Sequence, residues 1–146
     1  TWLKEQGYWD RDDVMILSTD NFIDTVAAGE GKTYSEVFHK AIKHANKNLD
    51  EALNYALKTD MDIVWDQTNT TRKSREAKLR RIPAHYKKVA RVFLPADDKT
   101  HSEWLNSPER AGKVIPKAVI ESMIANFEQP TIYEGFDEVI TPVRFT

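Results

Sequence analysis

Three short apolar runs, each cut off by polar residues or proline, constrain this chain more than any other feature. Val14-Met15-Ile16-Leu17 ends at Ser18-Thr19-Asp20-Asn21, and Met61-Asp62-Ile63-Val64-Trp65 ends at Asp66-Gln67-Thr68-Asn69. The third, Val89-Ala90-Arg91-Val92-Phe93-Leu94, is closed by Pro95. Runs this short and rich in Val, Ile and aromatics fit strands covered on both faces, as in a parallel sheet. Val139-Ile140 is a fourth candidate. Between the first two runs, Ser35 to Lys58 repeats apolar residues at Val37, Phe38, Ala41, Ile42, Ala45, Leu49, Ala52, Leu53, Ala56 and Leu57, the stripe of a long amphipathic helix. Its start is open between two caps, Ser35 itself or Thr33 with Glu36 as a capping box.

Other helical patterns follow. Thr70 to Arg81 reads as a basic helix stopped by Pro83, Thr100 to Asn106 as a short helix, and Pro116 to Phe127 as another with proline in its first turn. Thr1 to Gln6 reads as a helix tail closed by Gly7. Strands alternating with helices predict an α/β fold with a mostly parallel sheet, and the absence of repeats or linkers predicts one domain over residues 1–146.

Composition narrows the chemistry. The chain has 146 residues and no cysteine, which rules out disulfides, thiolate zinc sites and cysteine nucleophiles within it. No run is long enough to span a bilayer and none resembles a signal peptide, so the expected location is cytoplasmic, with no membrane partner. The four histidines show no H-x-x-x-H or H-E-x-x-H spacing, and G-x-S-x-G is absent, so neither zinc nor nucleophile-elbow chemistry is expected.

In parallel sheets, ligands bind beyond the carboxyl ends of the strands. That rule makes Asp20 and Asp66, each just past a strand, candidates for chemistry. The competing use is that each aspartate caps the helix that follows.

Gly29-Glu30-Gly31-Lys32-Thr33 ends like a phosphate loop, but the pattern requires glycine where Val26 stands, and the segment does not follow its strand directly. It reads instead as a flexible glycine loop ahead of the long helix. Residues 72–91 hold nine basic residues against one acid, Glu76, while the whole chain carries −2. Such a window offers an anionic partner a surface, or is a solvated helix face. Arg110 and Lys113, in Ser107-Pro108-Glu109-Arg110-Ala111-Gly112-Lys113, form a basic segment suited to closing over phosphates.

Together these pieces resemble P-loop kinases of the polynucleotide 5′-hydroxyl kinase type over nearly the whole chain. The resemblance rests on Ser18-Thr19-Asp20-Asn21-Phe22, on Asp66-Gln67-Thr68-Asn69, on Arg110-Ala111-Gly112-Lys113-Val114-Ile115-Pro116, and on Phe127-Glu128-Gln129-Pro130 followed by Glu134-Gly135-Phe136. Thr1-Trp2-Leu3-Lys4-Glu5 is similar to the helix that follows the glycine-rich loop in such enzymes. The resemblance implies a three-layer parallel sheet flanked by helices, with the first strand and phosphate loop ahead of Thr1 and absent from this chain. It implies ATP and Mg2+, with Thr1 and Lys113 on the nucleotide side. Asp20 is then the general base for the acceptor hydroxyl, Asp66 the magnesium residue, and Asn69 and Arg72 acceptor contacts, while Arg110 is the lid arginine steadying the transferred phosphoryl.

Two positions depart from the phage-type pattern. Ile23 replaces an arginine that holds the acceptor's 3′-phosphate, and Asn106 replaces a first lid arginine. A nucleic-acid 5′-hydroxyl remains the leading acceptor, with the basic window 72–91 as its contact surface. A small-molecule kinase acting on a nucleoside, sugar or antibiotic is one alternative. A non-catalytic module that binds nucleic acid or protein is the other, and the chain alone is expected to be inactive for want of a phosphate loop.

Overall fold

A computed structural model describes residues 2–93 and 117–143. These fall into two compact units, divided between Thr68 and Asn69.

The first unit opens with a one-turn helix, α1 (Trp2–Glu5), and Gly7, whose φ of 75° ends that segment as the sequence predicts. Strand β1 (Val14–Leu17) pairs in parallel with β2 (Asp62–Trp65), in the register Val14↔Asp62 to Leu17↔Trp65. A parallel pair needs a long crossover, and here two helices supply it: α2 (Thr19–Glu30) and α3 (Tyr34–Lys58).

Helix α3 buries Val37, Ala41, Ala45, Leu49, Leu53 and Ala56 of its expected stripe, while Phe38, Ile42, Ala52 and Leu57 flank them half-buried. Its cap is Thr33, not Ser35. The Thr33 hydroxyl accepts from the Glu36 N–H at 3.3 Å and the Glu36 carboxylate accepts from the Thr33 N–H at 3.1 Å, a complete capping box. The core of the unit lies between α2 and α3, where Ile23 and Ala27 meet Val37, Ala41 and Ala45. Alanines at this contact let the two helices approach closely, while Phe22, Val26, Tyr34, Phe38 and Ile42 pack around the rim.

Helix α2 corrects the sequence reading. The segment Gly29–Thr33 is not a flexible loop: Gly29 and Glu30 complete the last turn of α2, and Gly31, at φ 64°, closes it. The Lys32 N–H donates to Ala27 O at 2.9 Å and the Gly31 N–H to Ala28 O at 3.3 Å, the hydrogen-bond pattern of a Schellman cap.

In the second unit, α4 (Arg72–Leu79) is shorter than the predicted 70–81 because Thr71 caps it, accepting from the Ser74 N–H at 3.3 Å. Strand β3 (Val89–Phe93) pairs in parallel with β4 (Glu138–Val143), with a register irregularity between Arg91 and Phe93. Helix α5 (Lys117–Ala125) occupies most of the predicted 116–127, and a 3-10 turn covers Ile132–Glu134. The predicted helix 100–106 lies outside the described residues.

All four strands are parallel to their partners, as expected, but they pair two by two among the described residues. Coverage on both faces is not uniform either: Val14, Leu17 and Val92 are buried, whereas the residues of β2 are half-buried or exposed and Val89 is exposed. No described helix is long and apolar enough to cross a membrane.

Candidate functional site

The site is built where β1 and β2 end together. Leu17 and Trp65 are register partners, and the Asp66 N–H donates to Leu17 O at 2.9 Å, so both chains leave the sheet at the same level. From Leu17 the chain turns directly into α2. Ser18 is extended (φ −146°, ψ 123°) and its hydroxyl accepts from the Asn21 N–H at 3.5 Å. Ser18 is therefore the cap of α2, and Asp20 stands in the first turn, where the helix dipole favours a carboxylate.

The Asp20 carboxylate is exposed and accepts a 2.6 Å hydrogen bond from the Tyr34 hydroxyl. Tyr34 is the first residue of α3, delivered there by the Thr33–Glu36 capping box. On the β2 side, Gln67 is fixed by its own neighbours. Its Oε1 accepts from Trp65 Nε1 at 2.9 Å, and its Nε2 donates to Thr19 Oγ1 at 3.4 Å. This bridge ties the two strand ends across the mouth of the site.

Asp66 lies between these fixed groups. Its residue retains solvent access, yet burial of the carboxyl pushes its pKa above the ordinary 3.8, and the neighbouring Asp20 charge pushes it further. Two carboxylates thus share one field, and Asp66 gains there from a cation or a proton. A magnesium ion fits this donor set, because magnesium keeps several waters and takes only one or two carboxylates. Among the described residues there is no group of three or more His, Asp or Glu that would form a closed metal cage.

No phosphate cradle is formed at Gly29–Thr33. The N–H groups of Gly31 and Lys32 close α2 and that of Thr33 meets Glu36, so the donors that would wrap a phosphate are already engaged. A groove of about 340 Å³ opens between α2 and α3, lined by Phe22, Val26, Lys40, Ala41 and His44. It includes neither aspartate, and its surface is mostly apolar, with Lys40 and His44 as its polar side chains.

The other expected site residues belong to the second unit or to undescribed segments. Asn69 adopts a left-handed backbone, φ 47°, and its side-chain Oδ1 accepts from Lys78 Nζ. Arg72 donates from Nε to Glu76 at 2.8 Å, a surface pair one turn apart on α4. Thr1, Arg110 and Lys113 lie outside the described residues.

Sequence reasoning missed Tyr34, Gln67 and Arg75. Gln67 sits inside a quoted motif, and Tyr34 follows a legible capping box. Arg75 is hidden in the basic window, yet it is 4% exposed and its Nε donates to Glu134 Oε1 at 2.9 Å.

No solved structure matches the chain significantly. A family described as an AAA domain matches residues 1–130, most of the chain, and the parallel α/β units are those of a P-loop-like fold. The chain belongs to that AAA-domain family and carries a nucleotide-binding, P-loop kinase-like domain.

Proposed function

We propose that this domain serves an ATP-dependent phosphotransferase that passes the γ-phosphoryl group to a hydroxyl, with a nucleic-acid 5′-hydroxyl as the acceptor. The observation that carries the reading is the pair Asp20 and Asp66 at the shared carboxyl end of β1 and β2, with neither aspartate used as a helix cap. The acceptor oxygen attacks the γ-phosphorus, the bond from that phosphorus to the ADP oxygen breaks, and Asp20 takes the acceptor's proton. Asp66 would hold a magnesium ion, which would neutralise charge on the transferred phosphoryl, Arg110 steadies that phosphoryl, and Thr1 and Lys113 serve in nucleotide binding. Asn69 and Arg72 contact the acceptor. Gly29–Thr33 does not supply the glycine-rich phosphate loop that this transfer requires, and the 146-residue chain alone is inactive in this reading.

One observation favours a second acceptor class. Ile23, which stands where phage-type enzymes have an arginine for the acceptor's 3′-phosphate, is 0% exposed in the α2–α3 core. Ile23 is enclosed by apolar side chains and offers a 3′-phosphate no donor, which favours a small-molecule hydroxyl over a 3′-phosphorylated strand.

The test is phosphoryl transfer from labelled ATP–magnesium by the full-length gene product. The acceptors are 5′-hydroxyl oligonucleotides with and without a 3′-phosphate, together with nucleosides and sugars. Labelling of the oligonucleotides, insensitive to the 3′-phosphate, is expected. Asp20→Asn is expected to lower kcat by about 100-fold or more. Failure to label any acceptor, or full activity in Asp20→Asn, overturns the reading, and labelling of nucleosides or sugars alone transfers it to the second class.

A further inference from the structure

The segment Phe127–Phe136 carries two of the most distinctive sequence pieces, yet none of its residues has a place in the chemistry above. Its contacts lead to the loop that begins at Asn69. The Glu128 N–H donates to Thr70 O at 2.9 Å. Glu134 sends one carboxylate oxygen to Arg75 Nε at 2.9 Å and the other to the Thr131 N–H at 2.6 Å, which caps the 3-10 turn. Gly135 closes that turn at φ 119°, a backbone that only glycine adopts readily, and so presents Glu134 to Arg75.

Arg75 completes the chain of contacts. Its Nη1 donates to Asn69 O at 3.0 Å, and its own backbone N–H donates to Thr71 O at 3.1 Å. The carbonyls of Asn69 and Thr70 are therefore held by the Arg75 side chain and the Glu128 N–H, and that of Thr71 by the first helical bond of α4. Lys78 fixes the Asn69 side chain as well. An ammonium group only donates, so the amide atom facing it is Oδ1.

A strand-to-helix connection does not need this much restraint. The ion pair is almost wholly buried, with side chains 4% and 1% exposed, and Arg75 Nη2 is buried without a partner among the described residues. Removing two charges from water is expensive, and a buried pair is weak evidence for stability, so what it yields here is the fixed place of the Asn69–Thr71 backbone.

We infer that Arg75 and Glu134 are positioning residues: together they lock the backbone and orientation of Asn69 for contact with the acceptor. The inference rests on the acceptor role proposed for Asn69 and adds the residues that make that role possible.

The test uses the full-length gene product and the variants Arg75→Lys, Asn69→Ala and the double variant. Lysine keeps the charge that Glu134 needs, so folding is retained, but it lacks the planar fork that reaches both Glu134 and Asn69 O. Amide hydrogen exchange in Arg75→Lys is expected to quicken about tenfold or more at residues 70–75 and to stay unchanged in α3. Unchanged exchange at residues 70–75 overturns the locking. With a 5′-hydroxyl oligonucleotide as acceptor, the acceptor KM is expected to rise about 10- to 100-fold while the KM for ATP is unaltered. The double variant is expected to be no worse than Asn69→Ala alone. Equal changes in both KM values, or additive losses in the double variant, overturn positioning through Asn69. If the wild-type protein labels no acceptor, the acceptor role falls with the proposed function, while the exchange measurement still decides whether Arg75 locks the loop.

Discussion

A carboxylate just past a strand either caps the next helix or faces a ligand, and hydrogen bonding separates the two uses. Ser18 caps α2 and Thr71 caps α4, which leaves Asp20 and Asp66 outside both caps. Asp66 then carries an unfavourable charge in the ligand-free protein, since burial and Asp20 both oppose its ionisation. The sign follows from linkage. A carboxyl with a raised native pKa binds more protons folded than unfolded, so its contribution falls as pH rises from the ordinary 3.8 through the raised native value. Above both values the penalty is constant. Asp66→Asn is therefore expected to raise Tm at neutral pH and to match wild type in acid below the unfolded value. The gain should be below about 1 kcal/mol, because solvent screens a partly exposed carboxylate. Magnesium should raise the wild-type Tm and leave Asp66→Asn nearly unmoved. A variant less stable than wild type at neutral pH would contradict this account. Tyr34→Phe bears on the other carboxylate. It removes the 2.6 Å donor from Asp20 and should cost at most about 1.5 kcal/mol of stability, yet lower kcat about tenfold through lost orientation. An unchanged kcat in that variant would detach Tyr34 from the chemistry.

At the scale of elements, legibility followed the distance over which the physics acts. The strands at 14–17 and 62–65 and helix α3 were readable because each writes its burial into local periodicity. Helix α2 was not. Its stripe of Phe22, Ile23, Val26 and Ala27 is short, it starts inside the polar cluster that ends β1, and Gly29 and Gly31 look like loop punctuation, though one is helical and the other a left-handed cap. Arg75 was illegible for a different reason: its partner Glu134 is 59 residues away, and a buried arginine in a basic run has no local signature. For Glu134, burial alone would raise the pKa, but the hydrogen bonds from Arg75 and the Thr131 N–H, with the charges of Arg75 and Arg72, hold it below the ordinary 4.5. Its share of stability is thus present above 4.5 and is lost as pH falls through the lower native value. Arg75→Met strands a buried carboxylate and should cost about 3–5 kcal/mol in urea unfolding. Arg75→Met combined with Glu134→Leu should recover most of that loss, because an apolar pair carries no desolvation penalty. Recovery of stability without recovery of the acceptor KM would separate holding the fold from placing Asn69.

For the whole molecule, the question is what the basic window does with its charge. The chain carries −2 overall and +8 within residues 72–91, which on sequence alone offers nine cations to a polyanion. Folding engages at least five of them. Arg72 pairs with Glu76, Arg75 with Glu134 and Lys87 with Glu138, while Lys78 donates to Asn69 and Lys88 to the carbonyls of Pro83 and Tyr86. A cation already beside a carboxylate attracts a phosphate weakly, and one bonded to carbonyls must break those bonds to reach it. Lys73, Arg80, Arg81 and Arg91 also stand at exposed positions, which sets four as the upper count for phosphate contact. Each phosphate neutralised on a single strand contributes roughly −0.7 to the slope of log K against log salt, so four cations give about −3 and all nine about −6. Binding of a 5′-hydroxyl single-stranded oligonucleotide, titrated across a range of salt concentrations, should therefore show a slope no steeper than about −3. Replacing both Lys73 and Arg80 by glutamine should flatten it by about 1.4, and Arg75→Lys should leave it unchanged, because Arg75 is buried. A slope near −6 would mean that the internal contacts open on binding, which would sink the locked arrangement of Arg75, Glu134 and Asn69 together with the count of four.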